Sequence, residues 1–162
     1  MLSTRVATAG DIPLLTRIIN AAYVVERFFK AGDRIAADGV LALLRKGTFL
    51  LLEDNATPVG SVYVELRGDR GYIGLLAVDP ACQGSGLGHA LMNAAEDYCL
   101  GNGARHADLR VVNLREELPP FYRHLGYVEC GIEPFSEPTE ATRPCHFVLM
   151  TKSLGLEDSG AS

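Results

Sequence analysis

The stretch Val78-Asp79-Pro80-Ala81-Cys82-Gln83-Gly84-Ser85-Gly86-Leu87-Gly88-His89-Ala90-Leu91-Met92 changes its apolar period halfway along. Leading into it, Leu75, Leu76, Ala77 and Val78 make an apolar run of strand length that Pro80 stops. Beyond it, apolar residues fall at 87, 90, 91, 94, 95 and 98, the spacing of one helical face. The segment therefore reads as strand, glycine turn and helix. Glycines at 84, 86 and 88 admit backbone dihedrals closed to other residues, so several N–H groups can face outward at the positive end of the helix. That combination is a phosphate cradle.

Upstream, a short strand is expected over 5–8. Asp11 is a fitting N-cap, with Pro13 in the first turn of a helix that carries Leu14, Leu15, Ile18, Ile19 and Ala22 on one face. Residues 23–34 crowd aromatics and charges without clean periodicity. They form either a binding wall or a bend under which Phe28 and Phe29 pack. A second helix is expected over 35–46, stopped by Gly47. Strands follow over 48–53, 59–66 and 72–78. In the middle one, Val62, Val64 and Leu66 share one face, while Ser61, Tyr63 and Glu65 share a second, polar face expected to be wet. Gly74 in the third strand suggests a bulge or a close approach by another backbone or a ligand.

Downstream, the helix from 87 ends near 101–103 and a strand follows over 107–112. This strand–helix–strand unit implies a right-handed crossover and a parallel pair. Residues 118–127 read as a short helix opened by proline and closed by glycine. Strands over 128–132 and 146–151 close the fold around a loop at 133–144, a substrate flap or a hairpin excursion. The expected class is α/β, with a central mixed sheet of about seven strands, antiparallel at first and splayed near Val78, and helices on both faces.

A length of 162 residues suits one domain, expected over 1–154 with a polar tail over 155–162. Apolar residues at 48% and charged residues at 22% are globular values, and no apolar run approaches the roughly 18 residues of a membrane span. No apolar secretory core opens the chain, so a cytoplasmic protein without a membrane partner is expected. A net charge of −5 argues against nucleic acid as a partner. Cys82, Cys99, Cys130 and Cys145 are scattered with no Cys-x-x-Cys, so neither a metal site nor a disulfide framework is expected.

Two nucleotide motifs fail at the cradle. A dinucleotide fingerprint needs glycine at position 89, which is His89, and a P-loop needs Gly-Lys-Ser or Gly-Lys-Thr. The order of elements, with Gln83-x-x-Gly86-x-Gly88 preceded by Val78-x-Pro80, resembles the acyl-CoA motif of the GNAT superfamily of N-acetyltransferases. That resemblance implies the GNAT-type acyl-CoA N-acyltransferase fold and acetyl-CoA as cofactor. It implies that the backbone of Gln83, Gly84, Ser85, Gly86, Leu87, Gly88 and His89 holds the pyrophosphate of coenzyme A. It further implies that Leu76, Ala77 and Val78 pair with the pantetheine arm, with Asn113 beside it. The run Phe121-Tyr122-x-x-x-Gly126-Tyr127 is similar to the family's second signature, whose tyrosine lies near the thioester sulfur. Residues 114–120 depart from the family pattern and shift the helix that carries Tyr122.

The chemistry implied is transfer of an acetyl group to a primary amine of a small molecule or peptide, by direct attack in a ternary complex. An amine attacks only as its free base, and the departing thiolate benefits from a proton donor. Tyr122 is the candidate general acid, against a bland reading as a core residue. Many family members keep a glutamate on the strand before the glycine turn, but 72–78 holds no acidic residue. Glu65 is therefore the first candidate base, followed by Glu26 and His146. Tyr23, Glu26, Arg27, Phe28 and Tyr63 are the candidate substrate contacts. The acidic residues Glu26, Asp33, Glu133, Glu137 and Glu140 point to a cationic acceptor. The rival expectation is a non-catalytic acyl-CoA-binding module of the same fold, and a homodimer is left open.

Overall fold

Alternation along the strands sends side chains into two cores on opposite faces of one sheet. The computed structural model describes residues 1–137 and 140–155. Its strands are β1 (Leu2–Val6), β2 (Thr48–Asp54), β3 (Thr57–Arg67), β4 (Arg70–Val78), β5 (His106–Val112), β6 (Val128–Pro134) and β7 (His146–Ser153), in the order β1-β2-β3-β4-β5-β7-β6. The helices are α1 (Ile12–Ala22), α2 (Ala37–Leu44), α3 (Leu87–Gly101) and α4 (Leu118–His124). Among the described residues only β4 and β5 run parallel, joined across α3 as the crossover rule requires. This is the mixed seven-stranded α/β sheet expected from the sequence.

On β2, Leu50 and Leu52 enter the core under α3 with Leu91, Met92 and Ala95, while Phe49 and Leu51 enter the core under α1 and α2 with Leu15, Ile18, Ile19 and Val40. That second core corrects the expected wet face of β3. Ser61 and Tyr63 are 0% and 2% exposed, because α1 and α2 cover them. The second helix is also shorter than expected. Asn20 accepts from the Ile35 N–H at 2.9 Å and donates to its carbonyl at 2.8 Å, which holds Ile35 outside the helix. Asp11 is the N-cap residue of α1, as expected, but its side chain makes no cap bond there; it closes a capping box with Thr8 around the preceding 3₁₀ turn and grips Arg5 through two bonds of 2.9 Å.

β4 carries the expected irregularity. Tyr63 pairs with Gly74, but Ser61 pairs with Ala77, so Leu75 and Leu76 together oppose Val62. Leu75 takes φ of +51°, and a Cβ on Gly74 would lie 2.9 Å from the Tyr72 ring. Such a bulge adds twist and turns the strand away from its neighbour. Accordingly the β4–β5 ladder covers only Arg70–Tyr72 against His106–Asp108, and the sheet opens beyond Tyr72, earlier than the expected Val78.

The segment after α1 makes a 3₁₀ turn, Tyr23–Phe28, and then meets the loop before β7. Ala31 N–H donates to the Glu140 carbonyl at 3.1 Å and Thr142 N–H to the Phe29 carbonyl at 2.7 Å. Lys30, 5% exposed, places Nζ 2.7 Å from Glu140. Residues 138–139 of that loop, and residues 156–162 of the expected tail, lie outside the described residues. No helix among the described residues is long and apolar enough to cross a membrane.

Candidate active site

The glycine turn begins where Asp79 accepts from the Ala81 N–H at 3.0 Å and fixes a 3₁₀ turn over Pro80–Cys82. Gly84 and Gly86 then take φ of +91° and +76°. Gly86 is the N-cap of α3, and no side chain caps that end. The first N–H groups of α3 therefore lack both intrahelical acceptors and a capping oxygen, at the positive pole of a 15-residue helix. A Cβ at Gly84 or Gly86 would meet nothing within 4 Å, so the loop faces open space and glycine is required by conformation alone. Ser85 turns back to donate to the Cys82 carbonyl at 2.8 Å, and Gln83 reaches the Val78 carbonyl at 3.3 Å. These bonds brace the turn through side chains and carbonyls and use none of its backbone amides. This donor set fits a pyrophosphate group.

Three cavities meet end to end. A cleft of about 650 Å³ is lined by Leu76, Val78, Gln83, Gly84 and Gly86–His89 on one wall, and by Tyr23, Arg115, Phe121 and Tyr122 on the other. A narrow passage of about 70 Å³ shares Tyr23, Leu76 and Tyr122 with that cleft. The passage opens past Arg34, Tyr72, Gly74 and Arg110 into an outer cavity of about 750 Å³. The opening of the sheet beyond Tyr72 creates this route, because backbone groups of β4 that would bond β5 in a continuous ladder face the gap.

Tyr122 stands at the inner junction. It projects from α4, is 7% exposed, and lies edge-on to Phe121 and Tyr127 with centroids 5.0 and 6.0 Å away. Burial pushes its phenol well above the usual value, so it carries its proton at neutral pH. Tyr23 shares the junction and is raised by burial in the same way. Glu26 lines the passage with a carboxylate 2.7 Å from Arg115. Burial pushes the Glu26 carboxyl up, against the opposing pull of Arg115. Arg115 is the residue the sequence reading missed. It lies in the segment that departs from the family pattern, 89 positions from its partner, and no periodicity marks it.

Other sequence-derived candidates are placed differently. Glu65 lines the outer cavity and not the passage. Its carboxylate already bonds Arg67 at 2.9 Å and Tyr63 at 2.8 Å, and the Arg67 guanidinium holds it below the usual range. Tyr63 lines the same outer cavity. Ala77 points its side chain into the core under α1, so it can meet the cleft only through its backbone. Asn113 is drawn away from the cleft because its Oδ1 accepts from the His146 N–H at 2.8 Å. Arg27 is exposed and paired with Asp33 at 2.9 Å, and Phe28 packs against Phe29 and Arg143. Arg27, Phe28, Asn113 and His146 line none of the three cavities.

A half-opened sheet with uncapped helix amides at its mouth is the frame of an acyl-thioester transferase. The chain belongs to the acetyltransferase (GNAT) family, whose sequence model matches residues 13–127. A streptothricin acetyltransferase from Streptomyces lavendulae is 34% identical over 76 residues, a match covering 47% of this chain and 40% of that protein. The chain thus spans well under half of that relative. The ribosomal-protein-S18-alanine N-acetyltransferase of Escherichia coli superposes with a TM-score of 0.77 at 18% identity, covering 95% of this chain and 94% of that one. A putative acetyltransferase from Salmonella typhimurium, solved with its cofactor acetyl-CoA, superposes with a TM-score of 0.72 at 20% identity, covering 94% of each chain. At these identities the solved structures speak for the fold.

Proposed function

We propose that the domain over residues 1–154 is an acetyl-CoA-dependent N-acetyltransferase acting on a primary amine by direct attack in a ternary complex. The observation that carries this reading is the continuous route from the glycine cradle, past Tyr122, to a separate outer cavity. Two ligands entering from opposite ends would meet in the passage, so orientation alone lowers much of the barrier. Acetyl-CoA, when bound, supplies an activated acetyl group. The outward amides of residues 84–89 would hold its pyrophosphate, and the β4 backbone beyond Tyr72 its pantetheine arm.

Tyr122 keeps its proton at neutral pH and can donate it toward a departing sulfur at the inner junction. Glu26 is favoured over Glu65 as the acceptor of the amine's proton. Its carboxylate lines the passage and its pKa is raised, whereas Glu65 is engaged twice and lies outside. The missing carboxylate on β4 supports a second reading, a non-catalytic acyl-CoA-binding module.

Thiol release from acetyl-CoA, followed across a panel of amines, separates the two. If coenzyme A binds and no amine raises release above background hydrolysis, the transferase reading fails. Tyr122→Phe should lower kcat roughly 100-fold while changing the Kd of coenzyme A less than about twofold. Unchanged kcat would remove Tyr122 as the proton donor.

A further inference from the structure

The acidic residues that suggested a cationic acceptor are all engaged. Glu26 meets Arg115 at 2.7 Å, Asp33 meets Arg27 at 2.9 Å, and Glu133 meets Arg110 at 2.8 Å. Glu140 and Glu137 lie 2.7 and 3.9 Å from Lys30. The two remaining carboxylates of the outer cavity are engaged as well, Glu65 by Arg67 at 2.9 Å and Asp108 by Arg70 at 2.7 Å. The cavity is therefore not an uncompensated acidic pocket.

The cations do not balance in the same way. Arg34, Lys46, Arg67, Arg70 and Arg110 line the outer cavity, and the last three serve its carboxylates. Among the described residues, Arg34 and Lys46 have no carboxylate within ion-pair distance. The half-buried Arg34 places its guanidinium 5.5 Å from the centre of the Tyr23 ring, a cation–π contact that holds it beside the passage. Glu26, the carboxylate whose titration feels Arg34, is already bonded to Arg115. Arg34 lines both the outer cavity and the passage, so it stands where an acceptor must go by. Ile35, Leu43 and Leu75 supply apolar wall beside it, and about 750 Å³ accommodates a small molecule.

We propose that the acceptor is an amine that also carries a carboxylate, whose anionic group is bound by Arg34 at the mouth of the passage with Lys46 in support. A planar guanidinium matches a carboxylate through two parallel N–H bonds, which leaves the amine of the same molecule free to enter the passage. The apolar wall takes the body of the molecule. A polycation would instead meet Arg34 and Lys46, neither held in an ion pair among the described residues and each only at longer range from Glu26 and Glu65 respectively. This assignment deepens the acetyl-transfer reading and rests on it.

The test compares L-leucine with L-leucinamide, 5-aminopentanoate with 5-aminopentanamide, the dipeptide leucyl-leucine with its amide, and spermidine as the polycation. Thiol release is followed, and calorimetric titration of each amine into protein saturated with coenzyme A is run in parallel. The leucine pair is biased against the proposal, because the amide's amine is less basic and holds more free base at neutral pH. At least one free acid should exceed its amide tenfold or more in kcat/KM, and the position of that pair in the panel distinguishes a free amino acid from a peptide terminus. In Arg34→Gln the ratio should fall to within about twofold of one, and Arg34→Lys should recover part of it. Retained coenzyme A affinity shows that a variant is folded, and the exposed Lys46→Gln, with a smaller loss of the ratio, serves if Arg34→Gln is not.

Preference for an amide or for spermidine, or an acid preference untouched in Arg34→Gln, overturns the proposal. If no amine is turned over while coenzyme A binds, the transferase reading fails by itself. Calorimetry then decides the anion site: acid binding weakened tenfold in Arg34→Gln upholds it, and equal binding of acid and amide overturns it.

Discussion

Replacing Arg115 by Gln would strip the cation from a carboxylate that has almost no water to turn to. The Arg115 and Glu26 side chains are 13% and 10% exposed, and their charged atoms lie 2.7 Å apart. Removing one partner of such a pair costs about 3–5 kcal/mol. Lys30 and Arg34 also act on Glu26, so the low end applies, about 3 kcal/mol. In a domain of this size that is roughly 6–12 °C in Tm. Urea unfolding of the parent protein, Arg115→Gln, Glu26→Gln and the double variant closes a cycle in which the coupling should be about 2 kcal/mol. The pH dependence carries a sign. A carboxyl with a raised native pKa contributes stability that is fully present below its unfolded pKa and is lost as pH rises through the native one. In Arg115→Gln the native pKa of Glu26 rises further. The deficit relative to the parent should therefore be small near pH 4 and reach its full size by neutral pH or above. A deficit equal at every pH, or a coupling below about 0.5 kcal/mol, would show that the pair is screened by solvent and refute the reasoning.

Gly86→Val keeps free space around the new side chain but forces a β-branched residue to φ of +76°, at about 1–2 kcal/mol. Calorimetry should show coenzyme A affinity lost from a protein that still unfolds cooperatively, and retained affinity would remove the turn as the cradle. Gly71→Ala would drive its Cβ into Cys99 Sγ, so a loss of about 1–3 kcal/mol is expected in urea unfolding, reduced when Cys99 is also changed to Ala. Arg5, with the Thr8 N–H, holds the Asp11 carboxyl at about 2, below its ordinary value. A depressed carboxyl contributes stability above its unfolded pKa and loses it as pH falls through the native one. The advantage of the parent over Asp11→Asn should be constant above about pH 5, shrink through pH 4 and 3, and vanish below pH 2. An advantage that persists unchanged at pH 2 would contradict the pairing.

The strands and the glycine helix were legible because their signals are local. The period change at Pro80, the alternation along β3 and the heavy apolar face of α1 each lie within one element. What the sequence concealed was created by contacts between distant elements. Ser61 and Glu65 look alike as polar members of one face, yet Ser61 is buried under α1 and α2 while Glu65 reaches a cavity. The carboxylates beside the passage and the outer cavity pointed in the sequence to a cationic ligand because the arginines that engage Glu26 and Glu133 lie 89 and 23 positions away. Gly74 announced a bulge, but the extra residue and the positive φ fall on Leu75, a residue type that gives no warning of such a backbone. Arg115 escaped notice because a single cation in an irregular segment has no pattern to belong to.

The short β4–β5 seam has a mechanical consequence. β1–β4 form one half of the sheet and β5, β7 and β6 the other, and parallel pairing over Arg70–Tyr72 is the whole of the ladder between them. Arg70 spans that seam, bonding Asp108 through two nitrogens at 2.7 and 2.8 Å and Thr151 on β7 at 3.1 Å. Arg70 and Asp108 also form part of the wall of the outer cavity. The cleft at the glycine turn is thus the open end of a wedge whose closed end lies in the outer cavity. A group settling against Arg70 and Asp108 would press on the closed end of that wedge, whose open end is the gap beside Leu76 and Tyr122.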